Sequence, residues 1–193
     1  MNEPWALLSL LLRYPDARVI AATDEIAELG PGAVRDALER FAAEWTGDRA
    51  AAYVETFDLR RRASLNLTYY AHGDTRERGM ALLRLKKLYR AAGLPLASAE
   101  LPDHLAIMLA FAALAPAGYG EALLAEHRPA IELLRLSLHD LQSPYAHVLD
   151  AVALLLPPLS VSERSEVVRL AREGPPDEAV GLEPYGPPEA MPV

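Results

Sequence analysis

The amino-acid sequence contains no cysteine among its 193 residues. This absence excludes disulfide bonds, cysteine zinc sites, iron–sulfur clusters and thiol catalysis. Long hydrophobic runs are also lacking, because the N-terminal apolar stretch from Trp5 to Leu12 is too short to span a bilayer. The start of the chain has no basic leading segment and no small-residue cleavage site, so we expect no signal peptide. These features predict a cytoplasmic protein without stable membrane insertion.

Positive charge is scarce relative to negative charge, and the formal net charge at pH 7 is -8. Such a surface repels the phosphate backbone of nucleic acids and the headgroups of anionic membranes. We therefore predict no nucleic-acid partner and a surface that attracts a basic peptide instead. Hydrophobic residues make up 51% of the sequence, which is enough for one domain with one sizeable core.

The sequence also lacks the motifs that mark catalytic and cofactor sites. It contains no G-x-S-x-G nucleophile motif, no Walker loop and no Rossmann glycine fingerprint. None of the five histidines stands four residues from another or in an H-E-x-x-H pattern, so a helical metal site has no support. The sequence therefore predicts a protein that is not an enzyme and that has no catalytic residues, metal ligands or resident cofactor.

Helical patterns cover most of the chain. In "AVRDALERFAAEW", for example, Val34, Leu38 and Phe41 fall on one helical face. Similar segments, separated by glycine and proline, recur without a fixed repeat. They predict an all-α fold, a single-domain irregular helical bundle over residues 1-174. Residues 175-193 are rich in proline and glycine and predict an extended or disordered tail.

Individual residues predict where several helices begin and end. Asp74 is expected to open a capping box at the start of one helix. Ser160 or Ser162 is expected to cap the last helix. Pro129 is expected to kink or split a long helix from about Gly120 to Leu141.

The segment "ELPDH", residues 100-104, precedes the apolar run "LAIMLAFAAL" and has more than one interpretation. Pro102 is favoured at the first position of a helix, and Asp103 in the first turn complements the helix dipole. Alternatively, two carboxylates and an imidazole form the polar rim of a groove beside an apolar surface. A third interpretation is an acid–base pair of Asp103 and His104, but no nucleophile or metal motif accompanies it.

The segment "YVETFDLRRRASLNLTYY", residues 53-70, is rich in aromatic and basic side chains. Tyr53 and Phe57 are one helical turn apart, so they are either core residues or the lining of a groove for a peptide helix. The run from Arg60 to Arg62 is either a solvated face or a contact for an anionic ligand. The letters "LNLTY" alternate like a strand. No partner strand is predicted elsewhere, so we interpret this part as helical or irregular.

These two segments resemble the nitrate reductase molybdenum cofactor assembly chaperones, also called the nitrate reductase delta subunit. This family lies within the redox-enzyme maturation chaperones. The N-terminal "LLSLLLRYPD" and the C-terminal "GLEPYGPPE" are similar to the family as well, so the resemblance spans most of the chain. The residues that match its Y-x-x-x-F-D motif are Tyr53, Phe57 and Asp58. The residues that match its E-x-P-D-H motif are Glu100, Pro102, Asp103 and His104.

The resemblance implies an all-helical protein whose role is assembly rather than catalysis. Members of the family bind the N-terminal segment of the catalytic (alpha) subunit of respiratory nitrate reductase. They support insertion of the molybdenum cofactor before the enzyme docks at the membrane. The partners implied are that N-terminal peptide and the proteins that deliver the cofactor.

The candidate peptide-binding residues combine the two motifs with two neighbouring tyrosines. We expect a basic, amphipathic peptide to place its apolar face against the aromatic side chains and its charges near the motif carboxylates. A related chaperone for a dimethyl sulfoxide or trimethylamine oxide reductase, and a helical scaffold protein that is not a chaperone, are the alternatives. The candidates are Tyr53, Phe57, Asp58, Tyr69, Tyr70, Glu100, Pro102, Asp103 and His104.

Overall fold

Helices account for most of the regular structure in the computed structural model, which describes residues 3-29 and 31-176. No β-strand occurs within those ranges, and the predicted all-α, single-domain bundle is confirmed. The helices are α1 Glu3–Leu11, α2 Ala17–Ala21, α3 Ala33–Glu44, α4 Arg49–Tyr53, α5 Leu67–His72, α6 Arg76–Ala91, α7 Leu105–Leu114, α8 Tyr119–Glu126, α9 Arg128–Asp140, α10 Tyr145–Leu155 and α11 Val161–Glu173. Shorter turns are the 3₁₀ turns Asp24–Glu28 and Arg61–Ala63 and the π-helical turn Val54–Asp58.

Helix α7 lies at the centre of the bundle. Its sequence is apolar on every side, a composition that is stable in water only when the helix is enclosed by others. Helix α1 packs along it, and the Ser9 hydroxyl donates a 2.7 Å hydrogen bond to the carbonyl of Ala106. In the part of the chain that is described, no helix is both long and apolar enough to cross a membrane.

A cluster of aromatic rings joins α3 and α10 to the π-helical turn. The ring of Phe41 stacks on Trp45 with 5.0 Å between centroids. Tyr145 of α10 is fully buried, and its ring centroid is 4.8 Å from that of Phe57. Tyr53 completes the cluster at 4.9 Å from Phe57. Since aromatic side chains bury large areas, this cluster holds the π-helical turn firmly against the core.

Two of the predicted helix boundaries are confirmed. Ser160 caps α11 in a complete capping box with Glu163. The predicted long helix is split at His127, and Pro129 lies in the first turn of α9, where its missing N–H costs no hydrogen bond.

Two other predicted boundaries are wrong. Thr75, not Asp74, is the N-cap of α6, and Asp74 forms an ion pair of 2.8 Å with Arg78 instead. Pro102 does not open a helix: α7 begins at Leu105, and His104 is its N-cap. Asp103 therefore precedes the cap and is not a first-turn residue.

The last described helix, α11, ends at Glu173 and is followed by Gly174, which has a φ of 72°. Residues 177-193 of the predicted tail lie outside the described residues. The predicted boundary between an all-helical domain and a tail therefore stays a prediction.

Gly120 sets how closely α8 approaches α7. A Cβ atom at this position would lie 2.2 Å from the Cα of Ala112 and 2.6 Å from its Cβ. Because backbone cannot yield as a flexible side chain does, we expect Gly120→Ala to lower the free energy of unfolding by about 1–3 kcal/mol in urea denaturation. Gly79→Ala is the matched control. It lies within α6 with open space around it, so it should raise stability by about 0.5–1 kcal/mol. Equal effects of the two substitutions would contradict this account.

Candidate functional site

The two segments that carry the sequence motifs meet in the fold through a short backbone bridge. The N–H of Leu67 donates to the carbonyl of Asp103 at 3.0 Å, and the N–H of Leu105 donates to the carbonyl of Leu65 at 2.8 Å. These bonds make an isolated antiparallel bridge between Asn66 and His104. The strand-like alternation in the sequence therefore has a partner after all, a single residue pair rather than a strand. On either side of this pair the segment is helical or irregular, as predicted.

The carboxylate of Asp103 joins the same two segments through side-chain hydrogen bonds. It is fully buried and accepts hydrogen bonds from the Asn66 amide at 3.0 Å and from the Thr68 hydroxyl at 2.6 Å. The backbone N–H of Thr68 adds a third bond at 3.3 Å, and the Arg78 guanidinium lies 3.7 Å away. Asp103 thus has the partners that a buried carboxylate requires. Its expected contact with a ligand at a groove edge is not retained, because this carboxylate lies away from solvent.

Three further candidates hold the segments in place rather than lining a cavity. The carbonyl of Pro102 accepts a 2.7 Å hydrogen bond from the buried Tyr89 hydroxyl of α6. The hydroxyl of Tyr70 donates to the carbonyl of Ser64 at 2.9 Å. The ring of Tyr69 is half-buried and packs beneath the Arg78 guanidinium. With Asp103, these residues form a support beneath the site.

The other five candidates come together around one pocket of about 550 Å³. This pocket, called the motif pocket here, lies between the end of α1, the π-helical turn and the segment of residues 98-107. The candidate residues in its lining are Tyr53, Phe57, Asp58, Glu100 and His104.

Phe57 and Tyr53 form an aromatic wall of the motif pocket and belong to the core at the same time. Phe57 is only 8% exposed and Tyr53 only 7%, yet both reach the pocket surface. The core interpretation of this pair is therefore confirmed, and the groove for a peptide helix stays a prediction. Burial raises the pKa of Tyr53, so its phenol stays neutral. The π-helical turn carries Phe57 and Asp58 into the lining together, and such turns are frequent at functional sites.

Sequence reasoning missed the contribution of the loop after α1. Arg13, Tyr14 and Asp16 also line the motif pocket. The ring of Tyr14 is 54% exposed and meets Tyr53 edge-on, with 5.6 Å between centroids. The available signal was the "RYPD" that follows the first apolar run. A proline after a helix fixes a turn, but only the tertiary structure shows what the turn approaches.

The motif pocket carries more negative than positive charge. Asp58 and Glu100 are exposed, and neither forms an ion pair with another described residue, so both carboxylates are available to a cation. Asp16 is already engaged, because its carboxylate caps α2 by accepting from the N–H groups of Arg18 and Val19. The basic group in the lining is Arg13. The pocket therefore offers aromatic surface together with two free carboxylates.

His104 closes the pocket beside the start of α7. Its Nδ1 atom accepts a 3.2 Å hydrogen bond from the N–H of Ala106, which requires that nitrogen to be unprotonated. Burial lowers the pKa of His104, and the carboxylates of Glu100 and Asp103 only partly oppose this effect. The ring is therefore a neutral helix cap near pH 7. Within the described ranges, no three acidic or histidine side chains are grouped so as to hold a metal ion.

Comparison with known proteins assigns the amino-acid sequence to a family. The family model described as "Nitrate reductase delta subunit" matches residues 23-151, a range that contains both motifs and most of the pocket lining. The chain belongs to the nitrate reductase delta subunit family. The family suspected from the two motifs is thereby confirmed.

Several relatives support the assignment. The "Probable nitrate reductase molybdenum cofactor assembly chaperone NarJ" of Bacillus subtilis (strain 168) is 32% identical over 170 residues, covering 84% of this chain and 92% of that protein. The "Nitrate reductase molybdenum cofactor assembly chaperone NarJ" of Escherichia coli (strain K12) is 33% identical, covering 77% and 67%. The "Nitrate reductase-like protein NarX" of Mycobacterium tuberculosis (strain ATCC 25618 / H37Rv) is 38% identical over 152 residues. The chain spans only 23% of the length of that longer relative.

Substitutions of the two motif aspartates, Asp103 and Asp58, should have different effects on the free energy of unfolding. Asp103→Ala leaves three donors without their acceptor, two of them buried and one partly buried, so we expect the free energy of unfolding to fall by roughly 3 kcal/mol or more. Asp58→Ala removes an exposed carboxylate and should change it by less than about 0.5 kcal/mol. Urea denaturation of both variants measures the difference. Similar losses for the two would contradict the supporting role of Asp103.

The capping role of His104 makes stability depend on pH. The folded state holds the pKa of His104 below its unfolded value of about 6.5. The unfolded chain therefore binds more protons, and stability falls as the pH drops below that value. His104→Asn keeps a capping acceptor but does not titrate. Between pH 7.5 and 5.5 the variant should lose less stability than the parent chain. His72→Asn, outside the motif pocket, is the control, and an identical loss in the parent chain and His104→Asn would refute the assignment.

Proposed function

We propose that this protein is an assembly chaperone that binds the N-terminal segment of the catalytic (alpha) subunit of respiratory nitrate reductase. In this role it keeps the subunit competent for insertion of the molybdenum cofactor before membrane docking, and it works in the cytoplasm without a catalytic step of its own. The observation that carries the proposal is the motif pocket, in which residues of both motifs come together around one opening.

The chemistry of the pocket fits a segment that is both apolar and basic. Tyr14, Tyr53 and Phe57 offer aromatic surface, which binds apolar side chains and also attracts cations to the ring faces. Asp58 and Glu100 add carboxylates at the opening. Apolar contacts give such a complex its affinity, and the charges orient the peptide and speed its approach.

The net charge of -8 extends this preference beyond the pocket. A negative surface attracts a basic peptide over roughly the Debye length, about 8 Å at physiological salt. Binding should therefore weaken as the salt concentration rises. The names of the Bacillus subtilis and Escherichia coli relatives connect this chemistry to nitrate reductase and its molybdenum cofactor.

Calorimetric titration with a synthetic N-terminal peptide of the same organism's nitrate reductase catalytic subunit tests the proposal. We expect one binding site, no heat of binding with a scrambled peptide, and a loss of affinity of about 5-fold to 150-fold in Asp58→Asn combined with Glu100→Gln. This range corresponds to roughly 1–3 kcal/mol for removal of two charge contacts.

Asp36→Asn is the matched control for the charge change, because Asp36 is exposed on α3 and lies outside the pocket lining. Its affinity should equal that of the parent chain. A folded protein that binds neither peptide, or a double variant that binds like the parent chain, would overturn the proposed site.

A further inference from the structure

Helix α6 presents an exposed stripe of mixed apolar and basic side chains. Arg76, Met80, Leu83, Lys87 and Arg90 are spaced by four, three, four and three residues, so they lie on one face. Met80 is 64% exposed and Leu83 is 52% exposed. We call these five residues the α6 stripe. The opposite face of the helix, with Leu85 and Tyr89, is buried.

The α6 stripe is locally basic in a chain that is acidic overall. Helix α6 contains six basic residues and one acidic residue. Two of the six are paired, Arg78 with Asp74 and Arg84 with Glu126. The basic members of the stripe itself form no ion pair with any other described residue. An apolar centre with unpaired cations at both ends suits an acidic segment that carries apolar side chains.

The described chain ends beside the first turn of this helix. Gly73 precedes α6, and a Cβ atom there would lie 1.8 Å from the carbonyl oxygen of Pro176. The backbone of Pro176 therefore lies directly against Gly73. Gly73 has a φ of 56° and a ψ of -148°, a conformation open to glycine and rarely to other residues. Two requirements thus make position 73 specific for glycine, and the last described residue, Pro176, lies beside the end of α6 where the stripe begins.

The residues that follow have the complementary composition. Residues 177-193, "DEAVGLEPYGPPEAMPV", contain four carboxylate side chains and no lysine or arginine. Val180, Leu182 and Tyr185 supply apolar groups between the acidic residues. An extended chain of this length reaches up to about 60 Å, whereas the helix is about 24 Å long. The segment is therefore long enough to follow the whole stripe.

We propose that residues 177-193 of this chain dock along the α6 stripe, with their carboxylates paired to its arginines and lysine and their apolar side chains against Met80 and Leu83. The occupant is the chain's own acidic segment. The contact is intramolecular, since the segment starts at the stripe and its local concentration there is high.

Paramagnetic relaxation enhancement on the full chain tests this docking. The absence of cysteine allows a single nitroxide label to be placed without competing thiols. Gly79→Cys puts the label next to the stripe, where a side chain has open space. Leu59→Cys, 73% exposed and on another element, is the control position. We expect the amide signals of residues 177-193 to lose intensity with the label at position 79 and to keep it with the label at position 59.

Charge reversal identifies the interaction that is responsible. In the background Arg76→Glu with Lys87→Glu, the loss of intensity should disappear. In the matched background Arg61→Glu with Arg62→Glu, which makes the same charge change at exposed arginines elsewhere, it should persist. High salt should also reduce the loss of signal intensity caused by the label at position 79.

Four outcomes would overturn the proposal. One is that the label at position 79 affects the signals of residues 177-193 no more than the control label does. Another is that charge reversal of the stripe leaves the loss of intensity unchanged. In a mixture of labelled chain and isotope-enriched chain, a loss of the same signals would identify a second copy as the occupant. Finally, a nitrate reductase peptide could shift the signals of the stripe while those of residues 177-193 are unaffected. That result would identify the reductase peptide, rather than residues 177-193, as the ligand of the stripe.

Discussion

The buried carboxylate of Asp103 is the constraint on which the candidate site depends. A carboxylate removed from water is stable only when donors surround it, and here the donors come from Asn66 and Thr68, about 35 residues earlier in the chain. Together with the backbone bridge at Leu67 and Leu105, this requirement fixes the position of one motif against the other. The pocket is then the space left between two segments that cannot move apart without stranding a charge.

The motif pocket is rigid because part of its wall is also core. Phe57 touches Tyr145 on one side and the pocket on the other, so the ring that would meet a ligand is held by the aromatic cluster of α3 and α10. Side chains fixed by packing lose little rotamer freedom when they bind, which favours affinity. The exposed residues Tyr14 and Glu100 are free of this restraint and supply the adaptable part of the site.

Local signals in the sequence were sufficient for the helices and for some of their ends. Ser160 caps α11 as expected, because a serine with a glutamate three residues later satisfies both partners locally. Asp74 offered the same type of signal but pairs with Arg78, a competing partner within one helical turn. The pattern around His104 was ambiguous because its outcome depends on a bridge to Asn66, far away in the sequence. The motifs indicated which segments form the site, whereas their separation into support and pocket lining required the tertiary structure.

The net charge does not show how the charges are distributed over the surface. This distribution matters more for the choice of partner than the total charge does. The chain is acidic as a whole and so is the lining of the motif pocket, yet α6 is basic. Tyr89 on the buried face of α6 holds the Pro102 carbonyl beneath the site, while the opposite face carries the stripe. One helix therefore supports the acidic pocket and presents the basic surface. If an acidic segment of the same chain covers that basic surface, the carboxylates of Asp58 and Glu100 in the motif pocket stay available to a basic ligand.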